Sequence, residues 1–200
     1  VAVVIPDYRK YPQVKMDGFM DDAARAVAWT RDHATDLGGS PDNIFIMGHS
    51  AGGQIAALLA TDAHWLAPYA MQPKQLAGFI GLAGCYDFMP IPAYEKDMLG
   101  MFGRTPEEQA RAQPVRFVDG DEPPMLLLHG TTDKEVDPAN SKSLAAAMRR
   151  VHGDVTLKLY PGVGHSELSF AFSRPFRHSA DTLKDVLAFI RDHTRPKTLE

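Results

Sequence analysis

The feature that most constrains this chain is the pentapeptide Gly48-His49-Ser50-Ala51-Gly52, which stands between an apolar run and an alanine- and leucine-rich segment. The apolar run, residues 44–47, has the composition of a buried strand, and the segment after the pentapeptide is rich in helix formers. A turn this tight would hold Ser50 in a strained backbone conformation, which requires neighbours without a Cβ at Gly48 and Gly52. The sequence therefore predicts a strand, a sharp turn and a helix, with the Ser50 hydroxyl at the carboxyl end of the strand.

This arrangement is typical of a serine nucleophile. Anionic charge forming at Ser50 would meet free backbone N–H groups and the positive end of the helix dipole. The Ala51 N–H is the natural first donor to such an oxyanion. The alternative is a glycine-rich turn whose serine is incidental, since five residues alone are weak evidence of a site. The flanking strand and helix favour the nucleophile.

Apolar and amphipathic segments alternate along the whole chain. Strands are predicted over residues 1–5, 44–47, 76–83, 124–129 and 155–160, and the main helices over 17–34, the segment after Ser50, the segment that Asp137 and Pro138 open, and 181–190. This alternation requires a mostly parallel sheet with helices on both faces, an α/β fold. We expect a single domain over residues 1–200.

One stretch breaks this alternation. Residues 85–120 carry four prolines beside several methionine and phenylalanine side chains. The pattern predicts a small cap-like insertion over about residues 86–118. Its apolar side chains either line an acyl pocket or simply pack a helical excursion onto the core.

Composition excludes several classes of function. The net charge is −4 and no basic stripe is present, which argues against nucleic acid as a partner. A single cysteine excludes a disulfide framework, and no Cys/His cluster has the spacing of a zinc site. No apolar run is long enough for a membrane helix and no signal peptide opens the sequence. We therefore expect a cytoplasmic protein with no membrane partner, and a homo-oligomer is left open.

A serine nucleophile needs a base within reach and an acid that orients the base. Among eight histidines, His165 is the best candidate because it lies in a glycine-containing turn after the last predicted strand, where the active-site loops of open α/β sheets gather. His49 is expected to pack beneath the turn. For the acid, Asp133 follows the strand ending at residue 129, whereas Asp137 is explained as a helix cap before Pro138.

Together these segments resemble a known family. Residues 48–53 are preceded by Pro6-Asp7-Tyr8-Arg9 and followed by His129-Gly130-Thr131-Thr132-Asp133 and Gly162-Val163-Gly164-His165. In content and order they resemble the α/β-hydrolase superfamily, and within it the small carboxylesterase and lipase-like members that include kynurenine formamidases. The resemblance implies a triad in the order nucleophile, acid, base, with Asp133 as the acid. Asp87 stays a rival, because some members carry the acid after the preceding strand.

The resemblance implies that the chain hydrolyses small acyl or aryl carboxylic esters. The reaction would proceed through a Ser-His-Asp triad and an acyl-enzyme, without a metal or an organic cofactor. Two alternatives stay open. The same triad could act on an aryl formamide, or the chain could be a non-catalytic hydrolase-like module that binds a ligand or partner.

One part of the family pattern is absent from the sequence. The second oxyanion donor of the family comes from a His-Gly-Gly loop on a strand that would precede residue 1, and residues 1–200 hold no such motif. The sequence opens inside an apolar run and ends in Leu199-Glu200, a pair typical of a cloning scar. We expect an N-terminally truncated fragment. Alternatively, the strands flanking the gap pair directly, or another chain fills it.

Overall fold

The computed structural model describes residues 1–196 and contains a parallel four-stranded sheet. The strands lie in the order in which they occur along the chain: β1 (Phe45–His49), β2 (Gly78–Leu82), β3 (Met125–Gly130) and β4 (Val155–Tyr160). Each strand is parallel to its neighbour. The Leu199-Glu200 pair lies outside the described residues.

The connections between strands are mainly helical. The α-helices are α1 (Met16–Asp32), α2 (Ala51–Thr61), α3 (Ala63–Leu66), α4 (Lys96–Phe102), α5 (Pro106–Ala110), α6 (Ala139–Arg150), α7 (Glu167–Phe170) and α8 (Thr182–His193). Short 3₁₀ helices cover Ala67–Tyr69, Pro73–Gln75, Pro114–Phe117 and Arg174–Phe176. None of the helices within residues 1–196 combines the length and the hydropathy needed to cross a bilayer.

Both faces of the sheet are covered, because successive strand residues point to opposite sides. Phe79 and Leu127 belong to the core cluster shared with α1, α2 and α6. Ile80 and Leu128 face the other way, into a cluster with Val186 and Phe189 of α8. The predicted architecture, a parallel sheet between helical layers, is confirmed.

The strand predicted over residues 1–5 is not formed. These residues lie in an extended, exposed segment, with Val1 and Ile5 93% and 88% exposed. A strand is held by a neighbour that pairs with its backbone groups, and within residues 1–196 β1 pairs only with β2. The segment does not pair directly with β1 either. The N-terminal segment is held to α1 at Arg9, whose side chain and backbone N–H donate hydrogen bonds to the Asp22 carboxylate.

The proline-rich stretch after β2 is a helical excursion. Phe88, Met101 and Phe102 pack against the main core cluster, and the Phe102 ring meets Phe19 of α1 edge-on at 6.2 Å. The buried side chain of Gln113 accepts a hydrogen bond from the Phe88 N–H at 2.7 Å. These contacts are those of a segment packed onto the core, and a role as a cap stays a prediction.

Candidate active site

Ser50 lies between β1 and α2 in a backbone conformation that few side chains adopt. Its φ is 56° and its ψ is −123°. The Ser50 N–H donates to the carbonyl of Leu82 at the end of β2, 2.9 Å away, which anchors the turn to the sheet. A non-glycine residue at positive φ is strained, and such strain persists only where the surroundings hold it. The sharp turn predicted from the sequence is therefore formed.

The glycines around Ser50 have unequal roles. A Cβ at Gly48 would stand 2.1 Å from the carbonyl oxygen of Gly52, and a Cβ at Gly53 would stand 2.9 Å from the Cα of Gly84. At Gly52 a Cβ would meet no heavy atom within 4 Å. The expectation that the turn needs glycine at both Gly48 and Gly52 is thus wrong for Gly52. The close approach of α2 to the loop after β2 requires glycine at Gly53 instead.

The start of α2 provides a free backbone donor beside Ser50. Ala51 is the first helical residue and is exposed, and the first helical hydrogen bond runs from the Gln54 N–H to the Ser50 carbonyl. No backbone carbonyl within residues 1–196 accepts from the Ala51 N–H. The first N–H groups of a helix have no partner inside it and carry the positive end of its dipole. An oxyanion at Ser50 would find its donor here.

Asp133 and His165 are joined by a hydrogen bond in a buried setting. His165 Nδ1 lies 2.7 Å from Asp133 Oδ2, and the side chains are 5% and 0% exposed. Asp133 Oδ1 accepts from the backbone N–H groups of Glu135 and Val136, both at 2.9 Å. Because the carboxylate accepts, we assign the proton on this side to Nδ1, which leaves Nε2 as a proton acceptor.

The charge on Asp133 is maintained by these bonds. Burial disfavours the charged carboxylate, but the hydrogen bonds from the Val136 N–H, the His165 ring and the Glu135 N–H outweigh it and hold the pKa of Asp133 below its ordinary value. A permanently charged acid is what an imidazole needs to keep one tautomer and one orientation.

The rival aspartates have other partners. The Asp87 carboxylate accepts a short hydrogen bond from the Ser143 hydroxyl, and its backbone N–H donates to Asn140 Oδ1 at 2.8 Å. Asp137 Oδ1 accepts from the Ala139 N–H at 2.8 Å, at the start of α6, as expected for a cap. Of the three candidates, only Asp133 contacts His165 within the described residues.

His49 connects the turn to the loop that carries His165. Its Nε2 donates to the His165 carbonyl at 3.0 Å, and the two rings lie 4.5 Å apart between centroids. Burial lowers the pKa of His49, so the ring is neutral when it donates. His49 therefore does more than pack beneath the turn. Sequence reasoning missed this contact because it joins residues 116 positions apart.

The predicted base, His165, and the predicted nucleophile, Ser50, lie at the same edge of the sheet but are not hydrogen-bonded to each other. Ser50 is half-buried, and no hydrogen bond in residues 1–196 joins its hydroxyl to the His165 ring. Such bonds are often long without substrate and tighten in the reacting complex. Two of the three predicted triad members, Asp133 and His165, are thus in contact. Ser50 is linked to them through its neighbour His49, whose ring donates to the His165 carbonyl.

Comparison with known proteins identifies the family of the chain. Residues 1–148 match the family model described as BD-FAE. The chain belongs to the BD-FAE family. It is 25% identical over 218 residues to the probable isoprenylcysteine alpha-carbonyl methylesterase ICMEL1 of Arabidopsis thaliana, covering 95% of this chain and 44% of that protein. It is 29% identical over 199 residues to esterase LipQ of Mycobacterium tuberculosis, covering 92% and 47%. This BD-FAE family chain spans about half the length of these curated relatives.

Solved structures agree with this membership. Esterase 2 of Thermogutta terrifontis superposes with a TM-score of 0.77 at 26% identity, covering 96% of this chain and 72% of that one. Another structure shows the same esterase phosphonylated by sarin. An alpha/beta hydrolase enzyme from a deep-sea metagenome library superposes with a TM-score of 0.68 at 19% identity. The predicted α/β-hydrolase fold, and the resemblance on which it rested, are confirmed for this BD-FAE family chain.

One concave surface lies away from these residues. It has a volume of about 730 Å³ and is lined mainly by the N-terminal segment and α1, including Tyr8, Arg9 and Trp29. None of the predicted site residues lines it. In this BD-FAE family chain the candidate chemistry is therefore identified by hydrogen bonds and backbone geometry, and not by cavity volume.

Proposed function

We propose that the chain is a serine hydrolase that cleaves small carboxylic esters, with Ser50 as nucleophile, His165 as base and Asp133 as the orienting acid. The observation that carries the proposal is the 2.7 Å hydrogen bond from His165 Nδ1 to the buried Asp133 carboxylate. It lies beside a serine held at positive φ. A binding role gives no reason to combine these features. The esterase names of the relatives support the reaction class.

In the acylation half, His165 Nε2 takes the Ser50 proton while the serine oxygen attacks the ester carbonyl carbon. The carbonyl oxygen becomes an oxyanion and accepts a hydrogen bond from the Ala51 N–H. When the tetrahedral adduct collapses, the bond to the alcohol oxygen breaks and His165 returns the proton to that alcohol. The products of this half are the free alcohol and an acyl-Ser50 ester.

In the deacylation half, a water molecule replaces the alcohol. His165 Nε2 accepts one water proton as the oxygen attacks the acyl carbon, and the Ala51 N–H again faces the oxyanion. Collapse breaks the bond to Ser50, which recovers its proton from His165 as the carboxylic acid leaves. Asp133 stays charged throughout and stabilises the imidazolium formed in each half.

Hydrolysis of p-nitrophenyl acetate and butyrate by the chain and its Ser50→Ala variant tests the proposal. The matched control is Ser40→Ala, at a serine in the turn before β1 whose hydroxyl accepts a hydrogen bond from the neighbouring Asp42 N–H. We expect turnover that is lost in Ser50→Ala and kept in Ser40→Ala. Equal rates in all three proteins would contradict the proposal.

Two further measurements separate the alternatives. A fluorophosphonate should add one phosphonyl group to the wild-type chain and none to Ser50→Ala, as read by intact mass. Absence of labelling in the wild type would favour a non-catalytic module. N-formylkynurenine is the second probe: turnover with a higher kcat/KM than the acetate ester would assign the same triad to an aryl formamide.

A further inference from the structure

A second histidine contacts the oxygen of Asp133 that His165 uses. His129 is the penultimate residue of β3, and its side chain is fully buried. Its Nε2 lies 3.2 Å from Asp133 Oδ2 and 3.0 Å from the Val136 carbonyl oxygen. Its Nδ1 lies 2.7 Å from the hydroxyl of Ser141 in α6, which is also buried.

These partners determine where the His129 proton is. The Val136 carbonyl can only accept, so Nε2 carries the hydrogen and donates it to that carbonyl, with Asp133 Oδ2 in contact 3.2 Å from the same nitrogen. Burial lowers the pKa of His129, so the ring is neutral. A neutral ring with a proton on Nε2 has an unprotonated Nδ1, and the Ser141 hydroxyl therefore donates to it. Every polar atom of the ring has a partner.

The result is a carboxylate held from four directions. Two backbone N–H groups donate to Asp133 Oδ1, the His165 ring donates to Oδ2, and the His129 Nε2–H lies 3.2 Å from the same Oδ2. Both oxygens of the carboxylate therefore face N–H groups. Without His129, Oδ2 would be held by His165 alone, the group whose orientation it has to fix.

We propose that His129 is a positioning residue of the active site: it fixes the Asp133 carboxylate through the 3.2 Å contact of its Nε2–H with Oδ2 and ties the loop of residues 131–136 to β3 through the hydrogen bond to the Val136 carbonyl. His129 does not touch the substrate and acts only through Asp133. This inference rests on the proposed function of Asp133 as the acid of the triad.

Two substitutions separate this role from simple core packing. In His129→Gln, the side-chain amide nitrogen can stand near the position of Nε2 and donate to Asp133. His129→Leu has a similar size but no donor. On p-nitrophenyl acetate we expect the leucine variant to lower kcat about a hundredfold with KM nearly unchanged, the loss typical of a misplaced catalytic group. The glutamine variant should recover most of that loss.

A double-mutant cycle tests whether His129 acts through Asp133. In an Asp133→Ala background, His129→Leu should cause little further loss of kcat, because residues that act as a unit are strongly non-additive. A merely structural histidine would lower kcat by the same factor with or without Asp133. That outcome, or full activity in His129→Leu, would overturn the inference.

A spectroscopic measurement decides the same question without turnover. The His165 Nδ1 proton bound to Asp133 should give a far-downfield proton resonance that His165→Ala removes. We expect it to persist in His129→Gln and to be lost in His129→Leu. Persistence in the leucine variant would contradict the inference. Should that variant not fold, His129→Asn replaces it, since its shorter amide reaches toward Ser141 and not toward Asp133.

These readouts keep the two proposals distinguishable. If the wild-type chain shows no turnover that depends on Ser50, the proposed function fails, and the resonance still decides whether His129 orders the Asp133–His165 pair. If the wild type is active and His129→Leu matches it in kcat and in the resonance, the positioning role fails while the proposed function stands.

Discussion

Gly48 and Gly52 stand on either side of Ser50, and replacing each by alanine should have opposite effects on stability. A Cβ at Gly48 would lie 2.1 Å from the Gly52 carbonyl oxygen, 2.3 Å from its carbon and 2.7 Å from the Gly53 nitrogen. All three atoms belong to the backbone of the first turn of α2. A Cβ at Gly52 would meet nothing within 4 Å.

The magnitudes follow from these distances. Ordinary contacts between heavy atoms are about 3.5 Å, so Gly48→Ala must push the start of α2 away by more than about 1 Å. Overpacking typically costs about 1–3 kcal/mol, and rigid backbone puts this site at the upper end or beyond, at about 3 kcal/mol or more. Gly52→Ala lies in a helix with open space around it and should stabilise by about 0.5–1 kcal/mol.

Urea unfolding of the two variants beside the wild type measures this difference. We expect free energies of unfolding that differ between the variants by about 4 kcal/mol, with the wild type between them and closer to Gly52→Ala. The rate of fluorophosphonate labelling adds a second readout, since displacing Ser50 should slow it about a hundredfold in Gly48→Ala. Equal destabilisation of both variants, or a less stable Gly52→Ala, would refute the unequal roles assigned to the two glycines.

Other predictions concern buried polar groups and charge. Tyr86→Phe should raise the free energy of unfolding by about 1 kcal/mol in urea denaturation, because the buried Tyr86 hydroxyl has no hydrogen-bond partner among residues 1–196; a loss of stability would contradict this. Burial lowers the pKa of His49 and His129 below the ordinary 6.5. The unfolded chain therefore binds protons that the folded chain does not, and the free energy of unfolding should fall as the pH decreases through about 6.5. Replacing both histidines by glutamine should flatten this dependence in denaturation measured from about pH 8 to about pH 5, and an unchanged slope would speak against it. Hydrogen bonds from the Arg9 side chain and backbone hold the pKa of Asp22 at about 2. A carboxyl NMR titration should give that value in the wild type and one nearer the ordinary 3.8 in Arg9→Gln; equal values would rule out the pairing.

Periodicity in the sequence predicts most of the fold, because it reports which residues must be buried. The four strands of the sheet and helices α1, α2, α6 and α8 are found within a few residues of their predicted bounds. The strand predicted over residues 1–5 fails for a definite reason. An apolar run indicates a preference for burial, but it does not say whether a partner strand is adjacent, and within residues 1–196 none is.

The candidate site is predictable where local backbone geometry determines it. Ser50 is signalled by its turn, and His165 by its loop after the last strand. The choice between Asp133 and Asp87 is not local, because Asp87 is engaged by Ser143 and Asn140, more than 50 positions away in α6. The residues next to Asp87 in the sequence do not indicate that it has these partners.

The proposed role of His129 was likewise not predictable from the sequence. In the sequence it reads as a residue at the end of a strand, and its spacing of four from Asp133 is the one local signal of the contact. A spacing of four predicts this contact only when the conformation of the loop is known. In the structure the loop turns back, so that the Val136 carbonyl and the Asp133 carboxylate both face Nε2 of His129.

The sheet order explains the hydrogen bonds that hold the backbone of the loop carrying His165. Ser50 follows β1 and His165 follows β4, the two outermost strands of the described sheet, and three strand spacings of about 4.8 Å separate them. The His165 loop must therefore reach back across the edge of the sheet. It is held on that path by the Thr132 N–H, which donates to the Val163 carbonyl at 3.1 Å, and by His49, which donates to the His165 carbonyl at 3.0 Å. Gly130 permits this crossing, because a Cβ there would lie 2.1 Å from the Val163 carbonyl oxygen. The position of His165 relative to Ser50 is thus set by hydrogen bonds to the loop backbone that exist before any substrate binds, which is the preorganisation that the proposed mechanism requires.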